Sequence, residues 1–130
     1  MTHFVLLPIL IPLLAGVAVL PWRSTAAQRR IGLSTTVVLL LVSVWLVAEA
    51  TGGTLVYQLG GWAPPLGIVL ALDRMGALLV ALTAVVALGA LVYAVAGNDE
   101  RGRAFHPLFQ FQLAGLNGAF LTGDLFNLFV

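Results

Sequence analysis

The chain has 130 residues, 61% of them apolar and only 8% charged. At a mean hydropathy of +1.07 it cannot surround one small core with a water-compatible surface, so it belongs in a bilayer. The formal net charge is +1 at pH 7, from six arginines against five acids, which excludes a basic field for nucleic acid. Cysteine is absent, so disulfides, thiolate metal sites and a cysteine nucleophile are excluded as well.

A hydrocarbon core of about 30 Å needs about 20 helical residues. The first apolar run, residues 4–20, carries no charge. It lacks the basic leader of a signal peptide, and its positive flank, Arg23, Arg29 and Arg30, follows it; this predicts a retained helix with its N-terminus outside. Pro8 and Pro12 stand one turn apart and predict a kink, tolerable where a neighbouring helix covers the freed carbonyl groups. The second run, residues 31–48, ends at Glu49, which reads as an interface carboxylate rather than a mid-membrane group.

Residues 54–72 have the wrong period for a helix. Leu55, Tyr57 and Leu59 alternate with Thr54, Val56 and Gln58, and beyond Gly60-Gly61-Trp62-Ala63-Pro64-Pro65 the residues Leu66, Ile68, Leu70 and Leu72 share a face. The pattern predicts a β-hairpin whose apolar faces rest on helix ends or on a neighbouring subunit.

The third run, residues 75–96, opens behind Asp73, suited to an N-cap, and Arg74, suited to snorkel outward. Ala77 and Ala81, and Ala90 and Ala94, are small-residue pairs that permit close helix contact. The fourth run, residues 107–121, is the most polar. Gln110, Ala114 and Asn117 fall on one face, a stripe that suits protein or a wet cavity better than lipid; Gln112 lies on another face. Interhelical hydrogen bonding and a proton path both fit this stripe.

A fifth helix opens over residues 124–130 after a tight Thr122-Gly123-Asp124 corner. Asp124 is placed to cap it, and Asn127 shares its face. Asp124 therefore reads either as a cap or as an acid feeding a proton path. The loops on one side, residues 22–30 and 97–106, hold five arginines, Arg23, Arg29, Arg30, Arg101 and Arg103, and the opposite loop holds Arg74 alone; the excess places the first side in the cytoplasm. His3 and His106 have no ligand-like neighbour at motif spacing, so no metal is expected. The predicted fold is an all-α integral membrane protein with four transmembrane helices, the start of a fifth and an external hairpin between helices 2 and 3. Residues 1–130 form one membrane domain.

Three stretches together carry a resemblance: "LLPILIPLLAG" (Leu6 to Gly16), "YQLGGWAPPLGIVLALDRMGALL" (Tyr57 to Leu79) and "FQFQLAGLNGAFLTGDLFNLFV" (Phe109 to Val130). The chain resembles the D subunit of Mrp-type multisubunit cation/proton antiporters, a family related to the antiporter-like subunits of respiratory complex I. The resemblance implies a complete subunit of about 14 transmembrane helices containing two inverted five-helix repeats, the first starting at the fourth span here. It also implies an external hairpin before span three, and an essential mid-membrane glutamate in helix five, a few residues beyond the aspartate-led start that matches Asp124. The chain ends short of that glutamate and contains no lysine. It is therefore expected to be the N-terminal part of a larger subunit and not to conduct alone, because a relay needs buried titratable groups.

The expected function is that of a membrane subunit of a Na⁺/H⁺ antiporter in a bacterial inner membrane, a transporter subunit without cofactors. Its expected partners are the lipid bilayer, other membrane subunits of a hetero-oligomeric complex, and protons and Na⁺ as transported ions. Asp124, Asn127, Asn117 and Gln110 are the proton-path candidates. The alternatives are an antiporter-like pumping subunit of NADH-quinone oxidoreductase, in which redox work happens on other subunits, and a non-conducting scaffold.

Overall fold

The structure, a computed structural model, describes residues 3–62, 67–97 and 99–129. Four helices form an antiparallel bundle with a two-stranded hairpin across one end. A 3-10 turn at His3–Leu6 leads into α1, Leu7–Val19. Pro8 occupies the first turn, where its missing N–H costs nothing, but Pro12 lies inside the helix and leaves the Pro8 carbonyl without its intrahelical donor.

Helix α2 runs Thr25–Glu49, so it begins six residues before the expected Ile31 and takes Arg29 and Arg30 out of the loop assigned to them. Hydropathy misplaces this start because Gln28, Arg29 and Arg30 are polar. Their propensities, with those of Ala26 and Ala27, favour helix, and Ser24 stands extended at the N-cap position without a side-chain cap hydrogen bond. Helix α3 spans Arg74–Val95, and the Asp73 side chain accepts from the Gly76 amide at 2.6 Å, which is the expected cap. Helix α4 spans Phe105–Leu121 and the short α5 spans Leu125–Phe129; Val130 lies outside the described residues.

Strands β1, Leu55–Gln58, and β2, Val69–Leu72, pair antiparallel with Leu55 opposite Leu72 and Gln58 opposite Val69. The expected turn residues Ala63, Pro64 and Pro65 and the expected strand residue Leu66 lie outside the described residues, and Ile68 precedes β2 with its side chain exposed. The α4–α5 corner adds to the sheet. Thr122 bridges Leu70, the Gly123 N–H donates to the Val69 carbonyl at 2.8 Å, and a Cβ at Gly123 would stand 3.3 Å from Val69 and Ala71. Glycine permits this approach.

Helix α1 packs chiefly on α4, and α2 on α3. Gly16 receives the Phe111 ring so closely that a Cβ there would lie 2.6 Å from it. One apolar cluster, built on Val5, Leu46, Leu72, Val80 and Leu121, ties helix ends to the hairpin, and a second joins Leu39, Ala84, Ala87 and Leu113 at mid-bundle. The α3 contact runs through Ala77, Val80, Ala84, Ala87, Leu91 and Ala94, with Ala81 half-buried and Ala90 exposed.

The outer face is apolar where a water-soluble domain would be polar, and the interior mixes apolar clusters with polar side chains. Leu14, Leu41, Val86, Tyr93 and Leu108 are each more than 60% exposed, while Thr36, Ser43, His106, Gln110 and Asn117 are buried. Lipid is the solvent that selects such a distribution. Two helices, Thr25–Gly52 and Arg74–Val95, are long and apolar enough to cross a membrane by length and composition.

Candidate functional site

The inner face of α4 carries a column of buried polar side chains. At 1.5 Å per residue, His106 and Asn117 stand about 16 Å apart along it, with Gln110 one turn from His106 and Ala114 between the two amides. All four are less than 10% exposed, whereas Gln112 points outward.

Asn117 solves the problem Pro12 creates. Its Nδ2 donates to the freed Pro8 carbonyl at 2.7 Å, so α4 supplies the donor that α1 lacks. A carbonyl only accepts, which fixes the amide orientation and leaves Asn117 Oδ1 pointing elsewhere. Gln110 behaves alike. Its Nε2 donates to the Gly32 carbonyl at 3.3 Å and to Thr36 Oγ1 at 3.4 Å, both on α2. Gln110 Oε1, Asn117 Oδ1 and His106 Nδ1 are buried and make no hydrogen bond among the described residues.

At one end this column meets charge. Asp99, in the 3-10 turn Asp99–Arg101 between α3 and α4, is 2% exposed. Arg29 donates to it twice, Nε to Oδ2 and Nη2 to Oδ1, each at 2.6 Å, and reaches Glu100 Oε1 at 3.2 Å. His106 Nε2 lies 2.9 Å from Asp99 Oδ2. The hydrogen bond from Arg29 holds the Asp99 carboxyl well below the usual carboxylate range against the opposing effect of burial, and the contact with His106 acts in the same direction. A cavity of about 390 Å³ opens beside the cluster, lined by Trp22, Arg23, Gln28, Asp99, Glu100 and Arg103 among others.

Of the topology arginines, Arg29 is thus a structural partner of an acid 70 residues away. Arg23, Arg30 and Arg103 are exposed at the same end, and the Arg101 side chain lies outside the described residues. At the opposite end Glu49 is exposed and Arg74 donates to the Thr51 carbonyl at 3.0 Å. There Asn127 Nδ2 donates to Thr122 Oγ1 at 3.1 Å, and that hydroxyl to the Asp124 carbonyl at 3.2 Å. The structure therefore groups Gln110 and Asn117 in the column and leaves Asp124 and Asn127 at the corner beyond it. The sequence reading missed Asp99 and His106. The signal for His106 was available, because position 106 lies one turn before Gln110 on the same stripe.

No family model matches the chain. It is 47% identical over 136 residues to the D subunit of a probable K⁺/H⁺ antiporter of Rhizobium meliloti, covering 98% of the chain and 25% of that protein. It is 41% identical over 134 residues to the D subunit of a Na⁺/H⁺ antiporter of Alkalihalophilus pseudofirmus, covering all of the chain and 27% of the relative. A shorter match, 45% over 78 residues, joins 57% of the chain to the N subunit of NADH-quinone oxidoreductase of Desulforudis audaxviator. Among solved structures, the Mrp complex from a Dietzia species superposes with a TM-score of 0.89 at 34% identity, over 99% of this chain and 25% of that one. The chain spans about a quarter of the length of the antiporter subunits it matches.

Proposed function

We propose that this chain, which belongs to the D-subunit family of Mrp-type cation/proton antiporters, is the N-terminal membrane portion of a subunit that takes part in exchanging Na⁺ for H⁺. The observation that carries the reading is the α4 column: buried amides and a histidine with unused hydrogen-bonding atoms, inside a bundle whose outer face is apolar. In lipid such capacity is costly unless it serves transport or binds another group.

In this reading α1 to α4 are four transmembrane helices, α5 is the start of a fifth, and residues 1–130 are one membrane domain. The arginine-bearing end faces the cytoplasm of a bacterial inner membrane, and the N-terminus and hairpin lie outside. Gln110 and Asn117 belong to the proton path; Asp124 and Asn127 stand at its external mouth. Other membrane subunits are the partners, the chain is a transporter subunit and not an enzyme, and the 130 residues alone do not conduct.

The test uses everted vesicles carrying the complete assembly. Addition of Na⁺ or K⁺ should collapse a preformed pH gradient, read by a fluorescent ΔpH probe, and Gln110→Leu with Asn117→Leu should reduce that response at normal assembly. No cation-linked response from an intact assembly would sink the reading; unchanged exchange in the double variant would leave the column to packing. Exchange by the chain alone in proteoliposomes would overturn the statement that it does not conduct. The match to a NADH-quinone oxidoreductase subunit favours one second reading, a pumping subunit of a redox complex. Co-purification with nucleotide-binding and iron-sulfur subunits would decide for it, and co-purification with small membrane subunits alone against it.

A further inference from the structure

The Arg29–Asp99–His106 cluster lies outside every group to which the sequence assigns a role in proton movement, yet it is the most highly charged buried feature among the described residues. Asp99 is 2% exposed and His106 is 1% exposed. The imidazole bridges two environments. Nε2 faces the Asp99 carboxylate at 2.9 Å, and Asp99 in turn forms part of the wall of the cavity that opens at this end of the bundle. Nδ1 faces inward, 3.3 Å from where a Gly32 Cβ would stand and on the side of Gln110 Nε2, which lies 3.7 Å from the same point.

We infer that His106 is a proton-exchanging group at the arginine-bearing mouth of the α4 column, with Asp99 as its orienting counter-ion and Arg29 as the clamp that keeps Asp99 ionised.

The chemistry follows from the hydrogen-bond inventory. An ionised carboxylate only accepts, so Asp99 requires an N–H at Nε2 and thereby fixes the neutral tautomer with its lone pair on Nδ1. That lone pair has no partner among the described residues. A proton can therefore be added there without breaking an existing hydrogen bond. In the step an N–H bond forms at Nδ1 as an O–H bond of a hydronium ion breaks and water leaves, while Nε2–H stays on the Asp99 carboxylate; release breaks the same Nδ1–H bond and returns the proton to water. Asp99 remains a carboxylate throughout because Arg29 holds its carboxyl well below the usual range.

The surrounding charges support a transient imidazolium. Arg29 on α2 contributes one positive charge, and Asp99 and Glu100 two negative ones. Adding a proton to His106 takes this group from a net −1 to neutral. Arg103 lies exposed on the cavity wall, α2 otherwise offers the Gly32 carbonyl and Thr36, and α3 closes the space with Leu91.

The inference rests on the transport reading for where the proton goes next, and two measurements separate them. The first needs no cluster variant. The chain with isotope-labelled histidine, and with His3→Gln to leave one signal, is placed in lipid nanodiscs and followed by nitrogen NMR between about pH 8 and about pH 5. The expected spectrum shows the Nε2–H neutral form converting to the doubly protonated ring. A ring that stays in one neutral form across that span, or a neutral form protonated at Nδ1, overturns the proposal.

The second measures cation-linked exchange by the complete assembly with His106→Gln, which keeps a side-chain donor but cannot become a cation. Exchange should fall about tenfold or more with normal amounts of assembled complex. Exchange within about twofold of wild type would show a purely structural role and overturn the proposal. If His106 protonates but the wild-type assembly exchanges no cation, the transport reading falls and the proton site stands. If the wild type exchanges cations with a silent His106, only the site falls.

Discussion

The α2–α3 seam and the inner face of α4 are both buried, and they treat polarity in opposite ways. On α2 and α3 the hydroxyls turn back onto their own helices: Thr36 donates to Gly32, Ser43 to Leu40 and Thr83 to Leu79, each at 2.8 Å. The remaining contact is Leu39, Leu46, Val80, Ala84, Ala87 and Leu91. On α4 the polar groups reach across the bundle instead, Gln110 to α2 and Asn117 to α1, and each has a buried oxygen without a hydrogen-bond partner among the described residues. Local back-bonding lets a helix carry a hydroxyl in lipid at little cost. Reaching across with half the capacity unspent is costly, and therefore marks the face where chemistry is to be sought.

The largest expected effect lies on the silent side of this comparison. Leu46 is fully buried in the cluster at the hairpin end of the bundle. Leu46→Ala opens a void in the α2–α3 seam and should cost about 2–5 kcal/mol, seen in reversible unfolding in lipid, with no change in the protonation of His106. A change in that protonation would show that the two regions are one.

Asn117→Leu should cost about 1–3 kcal/mol by stranding the Pro8 carbonyl. In a Pro12→Ala background the backbone regains its own donor, so the same substitution should cost much less, with a coupling of about 0.5–3 kcal/mol. Equal costs in both backgrounds would deny that α4 repairs α1.

Acid supplies the third handle. Asp99 is held below its ordinary value, so its contribution is complete above about pH 4, the usual aspartate range, and is lost as the pH falls through the lowered folded value. Asp99→Asn should therefore lower the thermal midpoint at neutral pH, and the gap from wild type should narrow on acidification. A gap that widens in acid would reverse the assignment. Smallest of all, Ser43→Ala should change stability little, because its buried hydroxyl serves only the Leu40 carbonyl of its own helix.

Much of this layout was legible from local pattern. Alternation identified the hairpin, Asp73 ahead of an apolar run identified a cap, and the seven-residue spacing of Gln110 and Asn117 identified a stripe that the bundle does bury. What stayed hidden was long-range pairing. Arg29 and Asp99 are separated by 70 positions and Asn117 and Pro8 by 109, and no periodicity links them. Hydropathy misled at the start of α2 for a related reason: Arg29 is polar enough to look like loop, and its partner was out of view.

The strand-like corner after α4 has a mechanical consequence. Thr122 and Gly123 are tied to β2 by one isolated bridge and one backbone hydrogen bond of 2.8 Å, and a shift of the corner along the α4 axis would stretch both. Piston-like creep of α4 along its own axis is thereby opposed. Any displacement of the helix must either carry the hairpin with it or unlatch the corner altogether.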